Sequence, residues 1–350
     1  MISDIDLKKD SCKANTNRRK RFIMFTVILL LVIVYSTFWY IMAERVQERV
    51  SANLQSSHQH DGTEAHCENL HKTGYPLRIA IACDTLTWSR PLLGINFTSN
   101  LFVAGAPVYA PHWISLDITA PVTLELPGFN RLQGQWESMR IEADFDNRRL
   151  DNIALAIDQL QISDATVADP EKPVTADFIR LDADNRNDAL NIRLSFDKLL
   201  LPLFLKGQSR EMPAMDGVVE LTLDNAASFY IPADGPLLNR IRGHSGKLSK
   251  VTFNMESGGR LTVSGPFSVS RDGILSGQFT VAVGDSSAMM RTIRNLFPEQ
   301  SNNLETMFFA LNSMPKNEKG ELQLVFNVLE GKVRMGFIRL GKIPSLGQDQ

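Results

Sequence analysis

Two short motifs have the residue types of an acylating serine site: Ser195-Phe-Asp-Lys198 has the S-x-x-K form, and Lys72-Thr73-Gly74 the K-T-G form. In that chemistry the serine opens a helix, a lysine one turn later tunes it, and K-T-G follows on a strand. Here K-T-G comes first, Ser195 ends an alternating strand pattern, and no S-D-N lies between. The pair reads as coincidence. His58, His60, His66, Cys67 and His71 gather imidazole and thiol groups in one short stretch. Their spacing fits no closed zinc pattern, so no metal site is expected. Gly243-His-Ser-Gly-Lys247 is followed by Leu248, where a phosphate-cradling loop needs Ser or Thr. No nucleophile elbow, zinc-protease helix or dinucleotide fingerprint occurs. The sequence therefore predicts neither catalytic residues nor a cofactor, and a hydrolase assembled from distant residues is the least favoured class.

Cys67 and Cys83 carry a different chemistry. From Phe22 to Met42 the chain has 21 consecutive residues without a charge. A helix of that length spans the roughly 30 Å hydrocarbon layer of a bilayer. Lys8, Lys9, Lys13, Arg18, Arg19, Lys20 and Arg21 precede it, which keeps the N-terminus in the cytoplasm and exports the rest. A cleaved signal peptide is the rival reading, but the apolar run is too long and Ile41-Met42-Ala43 is a poor cleavage site. Cys12 then lies on the reducing side and the even pair Cys67 and Cys83 on the oxidising side, where a disulfide is expected. With a net charge of −2 the chain has no field for capturing nucleic acid.

Positioning is the work of strands. Val46, Val50 and Leu54 extend the anchor as a helical stalk, and Ser57 to Thr73 reads as a polar loop. From Gly74 the apolar period becomes two, in Leu77/Ile79/Ile81, Ile114/Leu116/Ile118, Val122/Leu124, Met139/Ile141/Ala143 and Ile153/Leu155/Ile157. It returns in Leu190/Ile192/Leu194/Phe196, Val219/Leu221/Leu223 and Val251/Phe253/Met255. Gly258-Gly259, Asp272-Gly273 and Glu330-Gly331 mark hairpins. The spacers are too short for crossover helices, so the strands are antiparallel. The predicted fold is mainly β (α+β): an N-terminal transmembrane helix, then a large curved antiparallel sheet or β-sandwich-like domain with a few packed helices.

The expected organisation is a basic cytoplasmic tail over 1–21, a span over 22–42, stalk and linker over 43–66, a β-rich domain over 67–344 and a short tail over 345–350. A weaker helical pattern over Asn225 to Arg242 marks either a seam near 225–245 or a point where one sheet continues. The strong helical pattern begins at Ser286, a candidate cap, and puts Met289, Met290, Ile293 and Phe297 on one side. Pro298 interrupts it, and Met307 and Phe308 resume it before Pro315. Such Met and Phe stripes usually fill cores. They also make adaptable surfaces, so Met289, Met290, Ile293, Phe297, Met307 and Phe308 form a candidate apolar ligand face.

Cys67, Gly74-Tyr-Pro-Leu-Arg78, Cys83, Pro107-Val-Tyr109, Pro111-His112 and Trp136-Glu-Ser138 occur in the order seen in a bacterial family. So do Leu261-Thr-Val-Ser-Gly265 and Gly331-Lys-Val-Arg-Met-Gly-Phe-Ile-Arg-Leu-Gly341. On these residues the chain resembles domain of unknown function 2125 over most of 67–344, and more loosely the AsmA-like envelope proteins. The resemblance implies a Gram-negative inner-membrane protein facing the periplasm, and it supplies no catalytic residue. The leading expectation is a non-enzymatic envelope protein that presents an apolar face to lipid or another envelope amphiphile. The alternative is an interaction module for envelope proteins, with a filled core.

Overall fold

A computed structural model of the protein describes residues 7–56, 63–91, 94–127, 130–146, 149–165, 173–186, 188–205, 208–225, 240–296 and 316–346. One helix, α1 (Leu7–Ser56), holds the basic stretch, the apolar run and the stalk. It is long and apolar enough to cross a membrane.

After α1 the chain crosses one sheet back and forth, and the first crossings are strands broken near their middle. β1 (Glu64–Glu68) leads into β2 (His71–Thr73), β3 (Arg78–Cys83) into β4 (Thr85–Arg90), and β5 (Ile95–Ser99) into β6 (Phe102–Pro107). β7 (Trp113–Ile118) leads into β8 (Val122–Glu125), and β9 (Leu132–Gln135) into β10 (Ser138–Asp146). β11 (Arg149–Asp164) makes the same bend unbroken, with Gln159 in the left-handed region at φ 53°. On one side of the breaks the pairing runs β2-β3-β6-β7-β10-β11, and on the other β1-β4-β5-β8-β9-β11. The breaks therefore align into a crease across six neighbouring crossings.

Beyond β11 the crossings are whole. β12 (Val174–Arg186) and β13 (Ala189–Leu199) follow, then a separate hairpin of β14 (Pro202–Leu205) and β15 (Gln208–Glu211). The sheet resumes with β16 (Met215–Leu223), β17 (Ser245–Met255), β18 (Arg260–Val269) and β19 (Leu275–Gly284). After α2 (Ser286–Leu296) it ends with β20 (Leu322–Leu329), β21 (Lys332–Met335) and β22 (Ile338–Lys342). Each pairs antiparallel with the next, and β16 pairs directly with β17 across the 224–244 connection. The fold is thus mainly antiparallel β, as the alternating patterns required.

Three local readings change. The stretch read as a loop to Thr73 contains β1 and β2, because backbone pairing with β4 and β3 outweighs its polar composition. α2 starts at Ser286 and is capped from the residue before it, Asp285, whose Oδ1 accepts from the Ala288 N–H at 3.1 Å. The single strand expected after the Glu330-Gly331 turn is two, β21 and β22, turning at Gly336. Most of the 225–242 helical candidate lies outside the described residues.

Cys67 and Cys83 are joined, with Cα atoms 5.5 Å apart, linking β1 on one side of the crease to β3 on the other. A sequence separation of 16 gives about 3 kcal/mol of chain-entropy stabilisation. Serine at both positions is expected to cost about that much, read as a lower urea midpoint of the full-length protein in detergent. Wild-type protein under reductant should fall to the same midpoint.

Candidate functional site: the apolar face of the sheet

Because residues directly opposite in an antiparallel pair share a face, the register assembles rows across the whole sheet. One row is Ile81, Ala104, Leu116, Ile141, Leu155, Leu181, Leu194, Val219, Val251, Val263, Val281 and Leu324, one residue from each of twelve adjacent strands. None is polar. At about 4.8 Å per strand the row is about 50 Å long, more than the roughly 30 Å thickness of a bilayer's hydrocarbon.

Parallel rows on the same face keep it apolar. Toward the crease end run Met139, Ile157, Ile179, Phe196, Gly217, Phe253, Leu261, Val283 and Leu322. Gly217 sits under the Phe196 ring, where an added Cβ would collide, and Phe196 reaches over it to Phe253 with centroids 6.1 Å apart. The glycine lets an aromatic side chain lie flat across the strand. The opposite side carries Asp117, Arg140, Arg180, Ser195, Thr252, Thr262 and Gln323, so the two faces differ sharply in polarity.

Burial is concentrated at the strand ends. One buried cluster holds Ile157, Leu160 and Ala176 beside the crease, with Trp136 and Leu199 against it. Trp136 is fixed there by its Nε1 donating to the Ile118 carbonyl at 2.8 Å. The other cluster holds Ala183, Leu190 and Leu223, with Ile241 and Phe267 against it. Between them the twelve-residue row is treated differently: Ile81 is buried and the other eleven are half-buried. Among the described residues, nothing seals this middle strip as completely as the ends are sealed.

The helical candidates occupy one border of this face. Met289 and Met290 are buried on α2, Ile293 is half-buried, and Met289 packs over the β17–β18 turn at Gly259. Ser257 of that turn bonds the Thr292 hydroxyl at 2.7 Å, fixing the helix against the strand end. Phe297, Met307 and Phe308 lie outside the described residues. Sequence reasoning found the Met-bearing helix but not the row itself, because the row exists only once register is known.

The residues with reactive chemistry stay dispersed. Ser195 lies on the polar face of β13, with six strands between it and Lys72 on β2, and Lys198 is paired to Asp177 at 2.7 Å. That ion pair raises the Lys198 pKa. The Asp197 carboxyl is raised by its hydrogen bond to Asp216, and the Arg140 guanidinium by Asp117 at 2.7 Å. A cleft of about 380 Å³ on the polar face has Lys250, Arg260, Lys319 and Glu321 in its wall, with Thr252 and Thr262 at its floor. Among the described residues no His, Cys, Asp and Glu cluster could hold a metal ion. His58 and His60 lie outside those residues, and Cys67 is committed to its disulfide.

No curated protein and no solved structure matches the chain. The looser AsmA-like likeness gains nothing from these comparisons. A family model described as an uncharacterized protein conserved in bacteria (DUF2125) matches residues 39–344, from Trp39 at the junction of α1 with the sheet to Pro344 beyond β22, and the chain belongs to that family.

Proposed function

We propose that this is a non-enzymatic envelope protein of a Gram-negative bacterium, held in the inner membrane by α1 with its N-terminus cytoplasmic and its sheet in the periplasm. In this reading the apolar face holds the acyl chains of a lipid. The observation that carries it is the twelve-strand row, wholly apolar yet half-buried along eleven of its residues. Exposed apolar area of that extent is costly in water at roughly 25 cal/mol per Å², and monomeric proteins rarely leave it open. An acyl chain covers it without needing polar partners, which matches the lack of polar groups along the row. Continuity with the membrane anchor favours lipid as the occupant, because the row begins at Ile81 on β3, and β3 packs against α1.

The basic residues before the apolar run, the exported side's disulfide and the family's bacterial distribution support the location. Full-length protein purified gently from membranes is expected to carry an amphiphile, seen as a mass increment in native mass spectrometry and recovered by solvent extraction. Protein with no adduct and no extractable lipid would instead support the filled-core interaction module.

A further inference from the structure

α1 does not simply tether the sheet; it docks on it within its apolar run. Along one stripe of the helix, Tyr35 donates from its hydroxyl to the Pro76 carbonyl, and Ser36 Oγ meets the Tyr75 hydroxyl at 2.8 Å. Trp39 Nε1 donates to the Arg78 carbonyl at 3.0 Å, and its ring meets Tyr75 edge-on at 5.3 Å. Farther along, Gln47 donates to the Leu70 carbonyl at 3.2 Å. On the far side of the helix at the same height Phe38 and Ile41 are exposed, whereas Tyr40 turns toward the sheet, its ring 3.7 Å from the Lys72 Nζ. A helix whose outer face is still apolar at residues 38–41 has not yet left the lipid, and its inner face there already touches residues 75–78.

The loop it touches belongs to a larger exposed rim. Tyr75 is 52% exposed, Leu77 68%, Tyr109 80% and Trp113 44%. They come from two neighbouring turns: the Val108 N–H donates to the Leu77 carbonyl at 2.9 Å, and Trp113 N–H to Ala110 O at 3.1 Å. Inside the sheet such side chains would be core; here they project from a strand end. Tyrosine and tryptophan beside a transmembrane helix are the residues favoured at the boundary between hydrocarbon and headgroups. The height agrees, since Ser36 lies about 9 Å inside the Met42 end of the apolar run at 1.5 Å per residue.

We infer that the 75–77 and 109–113 turns form a second membrane contact, inserted among the headgroups and upper acyl chains of the leaflet where α1 emerges. This stands without any lipid on the apolar face, and it rests only on the reading that α1 spans the bilayer. The sheet end nearest α1 is then seated in the leaflet.

Depth-dependent quenching tests it. In a Cys12→Ser background, Tyr109→Cys carries an environment-sensitive fluorophore, and the full-length protein is placed in phosphatidylethanolamine/phosphatidylglycerol nanodiscs containing lipids brominated on their upper acyl carbons. Val27→Cys, five residues into the apolar run, reports whether α1 spans. Ser287→Cys, exposed on α2, reports a site away from the rim. The expected result is at least twofold stronger quenching at residue 109 than at residue 287, with a blue-shifted emission. Quenching at 109 no greater than at 287 while 27 is quenched overturns the inference and leaves the anchor intact. No quenching at 27 overturns both. Tyr109 is exposed enough for the substitution to leave packing unchanged, and Leu77→Cys provides a second rim position with the same expectation.

Discussion

Leu223→Ala is expected to lower the unfolding free energy by about 3–5 kcal/mol, the upper range for emptying a sealed leucine site. Leu223 is 1% exposed and packs with Ala183 and Leu190 where β13 and β16 end. Phe267 closes over it from β18, lying beside Gly246, which has no side chain to hold the ring away. Truncating the leucine leaves an apolar void walled by Ala183, Leu190, Ile241 and Phe267, and collapse would have to move strands joined by ladder hydrogen bonds. Leu181→Ala removes the same atoms from the half-buried middle row and is expected to cost less, about 2 kcal/mol, because part of that side chain's area stays in contact with water. Urea midpoints of the two full-length variants, stripped of lipid by detergent, measure the difference. Equal costs would mean that the row is sealed core and that no acyl chain can lie on it.

The strands were legible where one face stayed consistently apolar. Leu190/Ile192/Leu194/Phe196 and Val219/Leu221/Leu223 alternate without interruption, and both strands are whole. The glycine turns fixed the last hairpins for the same local reason: Gly258, Gly259, Gly273 and Gly331 all take positive φ. The crease was not legible. β4, β5, β6 and β9 are four to six residues long, and each lies next to a bend where the alternation restarts. β1 and β2 are polar and histidine-bearing, and only pairing with β4 and β3 makes them strands. Local propensity has no access to that partner choice.

The Met-bearing helix was legible in the sequence, and the apolar row beside it was not. Hydrophobic spacing pointed to the helix carrying Met289 and Met290, which the structure buries at a border of the apolar face. The face itself is a property of register, set by twelve strands that each contribute one residue from positions up to 243 apart in the chain, from Ile81 to Leu324. Likewise Tyr75 and Tyr109 are among the residues on which the family resemblance rests. Their common height emerges only when Trp39 and Ser36 are seen bonded to the same loop.

Since neighbouring residues on a strand face opposite sides, one substitution and its immediate neighbour make a test of whether the apolar face holds the proposed lipid. Leu194→Asp puts a carboxylate at the centre of the row, opposite Leu181 and Val219. A charge there finds no polar partner along the row, and more than about 1.4 kcal/mol of lost affinity is expected, a tenfold or greater drop in co-purified lipid. The protein should stay folded, because Leu194 is half-buried and the carboxylate can reach water once the acyl chain has gone. Ser195→Asp adds the same charge one residue later on the polar face, opposite Arg180, and lipid recovery should match wild type. Lipid loss in Leu194→Asp alone assigns binding to the apolar face. Equal loss in both variants would mean that strand β13 tolerates neither charge, and equal retention would mean that the lipid rests elsewhere; either outcome removes the row from the mechanism.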